Sequence, residues 1–452
     1  MQRIHDTIAA LATPLGTSAI ALIRVSGAES AALASTLLGE LPPARFAKHA
    51  DYRDKAGALV DDAVFIFFKA PHSYTGEDAL EISCHGNPYI AQRILEDLFN
   101  RGCRPAEPGE FTQRAFLGGR LDLSQAEAVM DIIHARSERA LAAAHSQLRG
   151  SLGRRMNALV EELLGALARI EAYIDFPDED LPREDRALVS AAVDRAHHST
   201  CQLLATSHYG EILREGIQTV IIGEPNAGKS SLLNCLVGRD RAIVSEEPGT
   251  TRDFIEECVQ ISSHFLRLID TAGINPAPQP IERLGMEKTL ERAEEADLFL
   301  VVLDSTRPPP LFPKQLTERF NQANTIVVLN KSDLSDFAFT LSEPLASLRH
   351  VSTSALAGTG VDALKDKVAS LADDLQPNVG NELIAINARH AHALERAQAS
   401  LEAARAKLEN GGPVELLASD MRAALEACGE IAGRIDNERM LDQLFATFCI
   451  GK

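Results

Sequence analysis

The sequence contains no tryptophan, and its aromatic content is only 5%. That speaks against extended aromatic platforms for stacking nucleic-acid bases. It also has no CxxC pair. Its seven cysteines, Cys84, Cys103, Cys201, Cys235, Cys258, Cys428 and Cys449, are odd in number and widely spaced. This spacing suggests neither a disulfide framework nor a zinc ribbon and fits a reducing compartment. Long apolar runs are missing too. The longest strand-like one, Leu298 to Leu303, is far short of the about 20 residues that cross a bilayer. Around Asp6 and Pro14 the N-terminus lacks the basic region and apolar core of a signal peptide. The expectation is a soluble, cytoplasmic chain without membrane contact. Finally, there is no basic excess: 45 Lys+Arg stand against 64 Asp+Glu, a net charge of −19. Any nucleic-acid contact must therefore come from a local patch or loop.

The 452 residues are enough for about three domains. Ala19 to Val25, Ala63 to Phe68 and Ala79 to Cys84 read as strands, and Tyr89 to Asn100 as a helix closed by Gly102, which makes an α+β domain. Ser124-Gln125-Ala126-Glu127 reads as a capping box that opens a long helical stretch. Leu141, Leu148, Leu152, Met156, Leu159, Leu163, Leu167, Ile170 and Ile174 then form one apolar stripe at helical spacing. Phe176 to Pro182 interrupts it as an acidic, proline-bearing turn, and helix resumes over Ala187 to Ser207. From about Gly216 to Gln376 apolar strands alternate with helices. After Pro377 the chain is helical again, with Leu394, Leu401 and Leu408 seven apart and Gly411-Gly412-Pro413 as a stop. Helical blocks on both sides of an α/β block point to an inserted domain. Two separate helical domains are the plain alternative.

Thr219 to Ile222 is a β-branched strand, followed at once by Gly223-Glu224-Pro225-Asn226-Ala227-Gly228-Lys229-Ser230 and a helix from Ser231. GxxxxGK[ST] in this setting is a phosphate loop: backbone N–H groups converge on phosphate oxygens, Lys229 adds a point charge, and the Ser230 hydroxyl can ligate Mg²⁺. Downstream, Leu266 to Ile269 leads into Asp270-Thr271-Ala272-Gly273, where the Asp can hold Mg²⁺ through water and Gly273 can donate to the γ-phosphate. Thr325 to Leu329 ends in Asn330-Lys331-Ser332-Asp333. The Asp333 carboxylate can accept both N–H donors of the guanine edge, whereas adenine would leave that charge unpaired. Ser354-Ala355-Leu356 supplies backbone support for the base. In this order the motifs are the signature of a GTPase domain.

Between them lies Ser245-Glu246-Glu247-Pro248-Gly249-Thr250-Thr251-Arg252-Asp253, read as a switch segment whose Thr closes on Mg²⁺ and the γ-phosphate; a plain surface loop is the alternative. Where Ras-like GTPases place a water-orienting Gln, this chain has Ile274, so the water must be organised otherwise. Glu282 is one candidate, with a surface charge as its plain reading. Asn226 is a candidate ligand for a monovalent cation, with a loop hydrogen bond as its plain reading.

The sequence resembles the tRNA-modification GTPase family MnmE, also called TrmE, over essentially its whole length. Its most specific likenesses are Asp6-Thr7-Ile8 with Ala12-Thr13-Pro14, Ser73-Tyr74-Thr75-Gly76-Glu77-Asp78 and His85-Gly86. They continue in Pro108-Gly109-Glu110-Phe111, Arg114-Ala115-Phe116-Leu117, Leu121 to Ala128, Gly249 to Asp253, and the terminal Cys449-Ile450-Gly451-Lys452. The resemblance implies an α/β P-loop GTPase domain inserted in a split helical domain, preceded by an α+β N-terminal folate-binding domain. The expected boundaries are 1–120 for the N-terminal folate-binding and dimerisation domain, 121–215 for the first helical part, 216–377 for the GTPase domain and 378–452 for the second helical part.

The resemblance also implies a homodimer that works with an FAD- and NADH-using partner, MnmG, in a heterotetramer or larger complex. Together they would add an aminomethyl-type group, such as carboxymethylaminomethyl, to carbon 5 of the wobble uridine of certain tRNAs, using a one-carbon unit from a tetrahydrofolate derivative. Hydrolysis of GTP would depend on K⁺. By the same resemblance Asn226, Ser245, Glu247 and Thr250 would hold K⁺, Ser230 and Thr251 would hold Mg²⁺, and Glu282 and Lys229 would be catalytic. GTP contacts would come from Asn226, Ala227, Gly228, Lys229, Ser230 and Ser231, from Ser245, Glu246, Glu247, Pro248, Gly249, Thr250 and Thr251, and from Asp270, Thr271, Ala272 and Gly273. Asn330, Lys331, Asp333, Ser354 and Ala355 would complete the guanine side. Arg24, Glu81, Arg120 and Lys452 match the folate-contact positions. Cys449 is either a thiol for one-carbon transfer or a buried terminal cysteine. Asn275, in place of a frequent Arg, and Pro276, Pro278 and Pro280 mark a second switch unlike the family's usual one. A regulatory or ribosome-assembly GTPase is the rival reading, and a folate site with the CIGK terminus would discriminate against it.

Overall fold

A computed structural model of the chain describes residues 6–175, 183–238, 255–270, 290–334, 341–375, 384–433, 441 and 444–451. The chain forms two compact units: Met1–Met130 with Leu148–Asp185 and Gly412–Lys452, and Asp131–Gln147 with Arg186–Gly411. Among the described residues no helix is long and apolar enough to cross a membrane.

The first unit opens with β1 (Ile8–Leu11), β2 (Ile20–Ser26), α1 (Ser30–Leu38), β3 (Ala47–Arg53), β4 (Leu59–Phe68), β5 (Ala79–His85), α2 (Pro88–Asn100), β6 (Arg104–Pro105) and α3 (Glu110–Leu117). The strands form one sheet in the order β3-β4-β5-β2-β1-β6, antiparallel except where β1 meets β6. The period-two alternation of Ile23 and Val25, Phe65 and Phe67, and Leu80 and Ile82 puts these side chains in one core with Leu33, Ile94 and Leu98. The strands read from the sequence are β2, β4 and β5. β3, Ala-Lys-His-Ala-Asp-Tyr-Arg, carries too much charge to announce itself, as suits the edge position it occupies.

Next come α4 (Leu123–His134), α5 (Glu138–Leu148), α6 (Ser151–Asp175), α7 (Arg183–Leu204) and α8 (Ser207–Glu215). The capping box of α4 lies two residues earlier than the sequence suggests. Asp122 Oδ1 accepts the Gln125 N–H at 2.8 Å, and Gln125 Oε1 accepts the Asp122 N–H at 2.9 Å. Ser124 is drawn into the same cap, donating to Asp122 Oδ1 at 2.7 Å. The single stripe from Leu141 to Ile174 is also two helices: Gly150, at φ 79°, separates α5 from α6.

The second unit carries β7 (Ile217–Gly223), α9 (Lys229–Val237), β8 (Ile255–Ile261), β9 (His264–Asp270), β10 (Leu298–Asp304), α10 (Lys314–Thr317), β11 (Thr325–Asn330), β12 (Arg349–Ser352) and α11 (Val361–Asp374). Its sheet runs β12-β11-β10-β7-β9-β8, parallel except for β8. Alternate residues of the buried strands feed two cores. Ile221, Leu300, Val302, Ile326 and Val328 pack with α9 and α11, while Val220, Ile222, Val301, Leu303 and Val327 pack with Leu316 and Phe320. A sheet covered on both faces needs near-continuous apolar strands, which is why these were legible.

The chain closes with α12 (Ala388–Asn410) and α13 (Val414–Ala432). Asn387 and His390 form a reciprocal cap at the start of α12, Leu394, Leu401 and Leu408 are buried, and Gly411 ends the helix in the left-handed region. In the first unit α13 packs along α6, whose Leu152, Met156, Leu159, Leu163, Leu167 and Ile170 are all buried.

Candidate functional site

The phosphate loop follows from strand burial. β7 is the central strand, paired with β10 on one side and β9 on the other, so its C-terminal end opens where the crossovers diverge to either side. There the chain turns through Asn226 at φ 65° and Gly228 at φ 95° into α9. A Cβ on Gly228 would lie 2.3 Å from Asn330 Nδ2, so only glycine fits. Lys229 is buried, and its ammonium donates to the carbonyls of Gly223 at 3.1 Å and Glu224 at 2.9 Å. Asn226, Ser230 and Ser231 are exposed, while Ala227 is buried. Asp270 ends β9 in register with Ile221 of β7, which brings this strand end beside the loop.

The base-recognition segment is tied to the loop by one side chain. Asn330, almost fully buried, donates from Nδ2 to the Ala227 carbonyl at 3.0 Å, and its Oδ1 accepts the Ala355 N–H at 3.0 Å. The Ser332 N–H donates to the Thr353 carbonyl at 3.0 Å. Ser354 is buried; its carbonyl accepts the Gly358 N–H and its hydroxyl the Ala357 N–H. Asp333 is exposed at the end of this brace. The structure thus gathers Asn226 to Ser231, Asn330, Lys331, Asp333, Ser354 and Ala355 around one strand end. Ser245, Glu246, Glu247, Pro248, Gly249, Thr250, Thr251, Thr271, Ala272, Gly273, Asn275 and Glu282 lie outside the described residues, as do the prolines that follow Asn275.

Sequence reading missed Asp304. It ends β10 opposite Asn330 and is buried. Its Oδ2 pairs with the Lys331 ammonium at 2.7 Å, while Oδ1 accepts from the Thr306 N–H at 3.0 Å and hydroxyl at 2.6 Å. Burial pushes its pKa up, but hydrogen bonds from Lys331 and Thr306 outweigh this and leave it below the ordinary value. The only sequence signal was an Asp ending an apolar strand. A cavity of about 150 Å³ elsewhere in this unit is lined by Asp131, His134, Gln147, Leu213, Arg214 and Ala385 among others, none of them a phosphate-loop residue.

A second cluster lies in the first unit. Arg24 on β2 faces Glu81 on β5 across the sheet, and its Nε and Nη2 donate to Glu81 Oε1 at 3.1 and 3.0 Å. Its Nη1 donates to the Gly451 carbonyl at 3.2 Å, and the guanidinium lies 5.5 Å from the Tyr74 ring centre and 5.8 Å from that of Phe111. Cys449 is exposed, and its carbonyl accepts the Gly109 N–H at 3.3 Å. Arg120 is exposed, with its stem beside Gly76. Lys452 lies outside the described residues. An ionic network around the buried Glu110 and Arg114 of α3 lies in the same unit. Glu110 binds Arg104 at 2.6 Å and Arg114 at 3.0 Å, and Arg114 also reaches Asp6 at 2.6 Å and Glu77 at 3.2 Å. Burial raises the Glu110 pKa, but Arg104, the Glu107 N–H and Arg114 together bring it below the ordinary value.

Two family models match the chain: one described as the GTP-binding protein TrmE N-terminus over residues 7–120, the other as the MnmE helical domain over residues 123–449. A protein of Opitutus terrae named tRNA modification GTPase MnmE is 56% identical over 452 residues, covering all of both chains. A protein of the same name from Symbiobacterium thermophilum is 43% identical over 99% of this chain and all of its own. Among solved structures, the Era protein of Aquifex aeolicus bound to GDP and aluminium fluoride is 28% identical, with a TM-score of 0.27, covering 40% of this chain and 66% of that one.

Proposed function

The chain belongs to the tRNA modification GTPase MnmE family, and from that membership we propose how its residues divide the work. It is a GTP hydrolase that acts in tRNA modification. The observation that carries the assignment of residues is the Asn330 brace, which binds the phosphate loop and the base-recognition loop into one rigid pocket wall. In this reading Lys229 meets the terminal phosphates, Asp333 accepts the two guanine donors, and the Ala355 backbone supports the base. Asn226 and Ser230 carry hard oxygen donors on exposed side chains at the loop, the donor chemistry that K⁺ and Mg²⁺ take. Asn226, Ser245, Glu247 and Thr250 would hold K⁺, and Ser230 and Thr251 Mg²⁺; bound there, the cations would supply positive charge against the phosphates. Glu246, Pro248, Gly249, Thr271, Ala272 and Gly273 would complete the switch contacts, Asp270 would help to hold Mg²⁺, and Glu282 would orient the attacking water.

Arg24, Glu81, Arg120 and Lys452 would hold a tetrahydrofolate derivative, which would supply the one-carbon unit, and Cys449 is a candidate thiol for that transfer. The pairing of Arg24 with both Glu81 and the Gly451 carbonyl supports this reading, because two of the expected contact residues meet there beside a residue of the terminal motif. The division at residues 120, 215 and 377, dimerisation through the N-terminal domain, the FAD-dependent partner MnmG, the wobble uridine as target and a cytoplasmic location belong to the same proposal.

Equilibrium binding of GTP, ATP and xanthosine triphosphate to wild type and Asp333→Asn tests the pocket. Wild type should prefer GTP, and the variant should lose GTP and admit xanthosine triphosphate. Equal GTP affinity in the two proteins would remove Asp333 from the role.

A further inference from the structure

The guanine-site reading, on which this inference rests, leaves one buried carboxylate beside the pocket without a task. Lys331 lies between Asn330 and Asp333 in the segment assigned to the base, and on that reading its four-carbon stem borders the base site. Both ends of that stem are fixed. The backbone is held in the left-handed region at φ 62°, which a non-glycine residue adopts only when its surroundings impose it. The ammonium is held by Asp304 at 2.7 Å. Asp304 cannot swing, because Thr306 donates to its other oxygen twice. Its strand is fixed to β11 through Ser305, whose N–H and hydroxyl both donate to the Asn330 carbonyl, at 2.9 and 2.7 Å.

We propose that Asp304 is a positioning residue for guanine recognition: it pins the Lys331 ammonium so that the lysine stem forms a fixed apolar wall for the base. An unpinned lysine keeps its rotamers until the nucleotide arrives and then loses them. Pinning it beforehand removes that loss from binding, an effect of roughly 3- to 10-fold in affinity for one long side chain. The base is common to GTP and GDP, so both should be affected alike. The phosphate chemistry is not involved, so kcat at saturating GTP should hold.

The test is titration of full-length protein with fluorescent N-methylanthraniloyl GDP and GTP. The proteins compared are wild type, Asp304→Asn, Lys331→Met and the double variant. Asp304→Asn keeps an oxygen for Thr306 and removes only the charge. It should weaken both nucleotides by roughly 3- to 10-fold, with kcat within about twofold of wild type. The double variant should bind no more weakly than Lys331→Met alone, because Asp304 acts only through the lysine. Thr306→Val, which frees the carboxylate without removing it, should show a smaller loss of the same kind. Additive losses, or unchanged affinity in Asp304→Asn with wild type selective for guanine, would overturn the role of Asp304 alone. So would a fall in melting temperature and kcat that accompanies the loss of affinity, which would mark a scaffold residue. Equal binding of N-methylanthraniloyl ADP by wild type would overturn the guanine-site reading and the role of Asp304 with it.

Discussion

Replacing Gly451 by alanine should undock the C-terminal tail. Gly451 has φ 92°, and a Cβ there would lie 2.5 Å from the Leu11 carbonyl oxygen and 2.8 Å from the Ala12 Cα. Both atoms belong to backbone at the end of β1, so neither can move aside as a side-chain tip could. The left-handed conformation alone costs an alanine about 1–2 kcal/mol. Relieving the contact by lifting the tail gives up the charged hydrogen bond from Arg24 to the Gly451 carbonyl, about 1.5–3 kcal/mol, and the bond from the Gly109 N–H to Cys449, about 0.5–1.5 kcal/mol. Docking should therefore weaken by roughly 2–4 kcal/mol, about 30- to 1,000-fold in the docking equilibrium. Hydrogen exchange read by mass spectrometry follows this directly, because the Gly109 amide is one of the bonded groups. Its protection should fall in Gly451→Ala, while GTP affinity stays as in wild type. Unchanged protection at Gly109 would show that the tail is not held there by these contacts.

Three further expectations can be checked, two from the structure and one from the proposed role of Glu282. Asp6 and Glu110 have folded pKa values below their ordinary ones, so the stability they contribute is present above about pH 4 and is lost as pH falls through the lower folded values. Urea unfolding from pH 7 to pH 3 should show this acid limb, smaller in Glu110→Gln; an identical limb in the variant would refute the network's part. Cys449 is exposed, whereas burial pushes the Cys428 thiol up to about 12, so iodoacetamide at pH 8 should label Cys449 first and Cys428 last by peptide mapping. If Glu282 orients the attacking water as proposed, Glu282→Ala should lower kcat by roughly 10²- to 10⁴-fold with GTP affinity nearly unchanged, and Glu282→Gln should retain more activity if orientation outweighs proton transfer.

The candidate nucleotide site could be assembled from the sequence because its chemistry is local. A phosphate loop, a strand-ending Asp and an Asn-Lys-x-Asp segment each need particular residues at fixed spacing, and buried parallel strands announce themselves as apolar runs. Asp304 was not legible, because its task depends on register: only the pairing of β10 with β11 sets it opposite Asn330 and within reach of Lys331. The α4 cap was misplaced for a similar reason. Ser124 and Glu127 satisfy the pattern, but Asp122 and Gln125 satisfy it too and make the bonds. Gly150 was passed over because the apolar period continues across it, even though its left-handed backbone ends the helix. The contact between Arg24 and Gly451 joins residues far apart in the chain, and no local pattern encodes it.

The claim that this GTPase acts in wobble-uridine modification is tested most directly by mass spectrometry of nucleosides in tRNA. A strain deleted for the gene and complemented with wild type or Glu282→Ala supplies the material. The aminomethyl-type modification at carbon 5 of the wobble uridine should vanish on deletion, return with wild type and fail to return with Glu282→Ala. Full modification in the deleted strain would contradict the function itself. Full modification with Glu282→Ala, at wild-type GTP turnover, would contradict the assignment of the hydrolytic carboxylate.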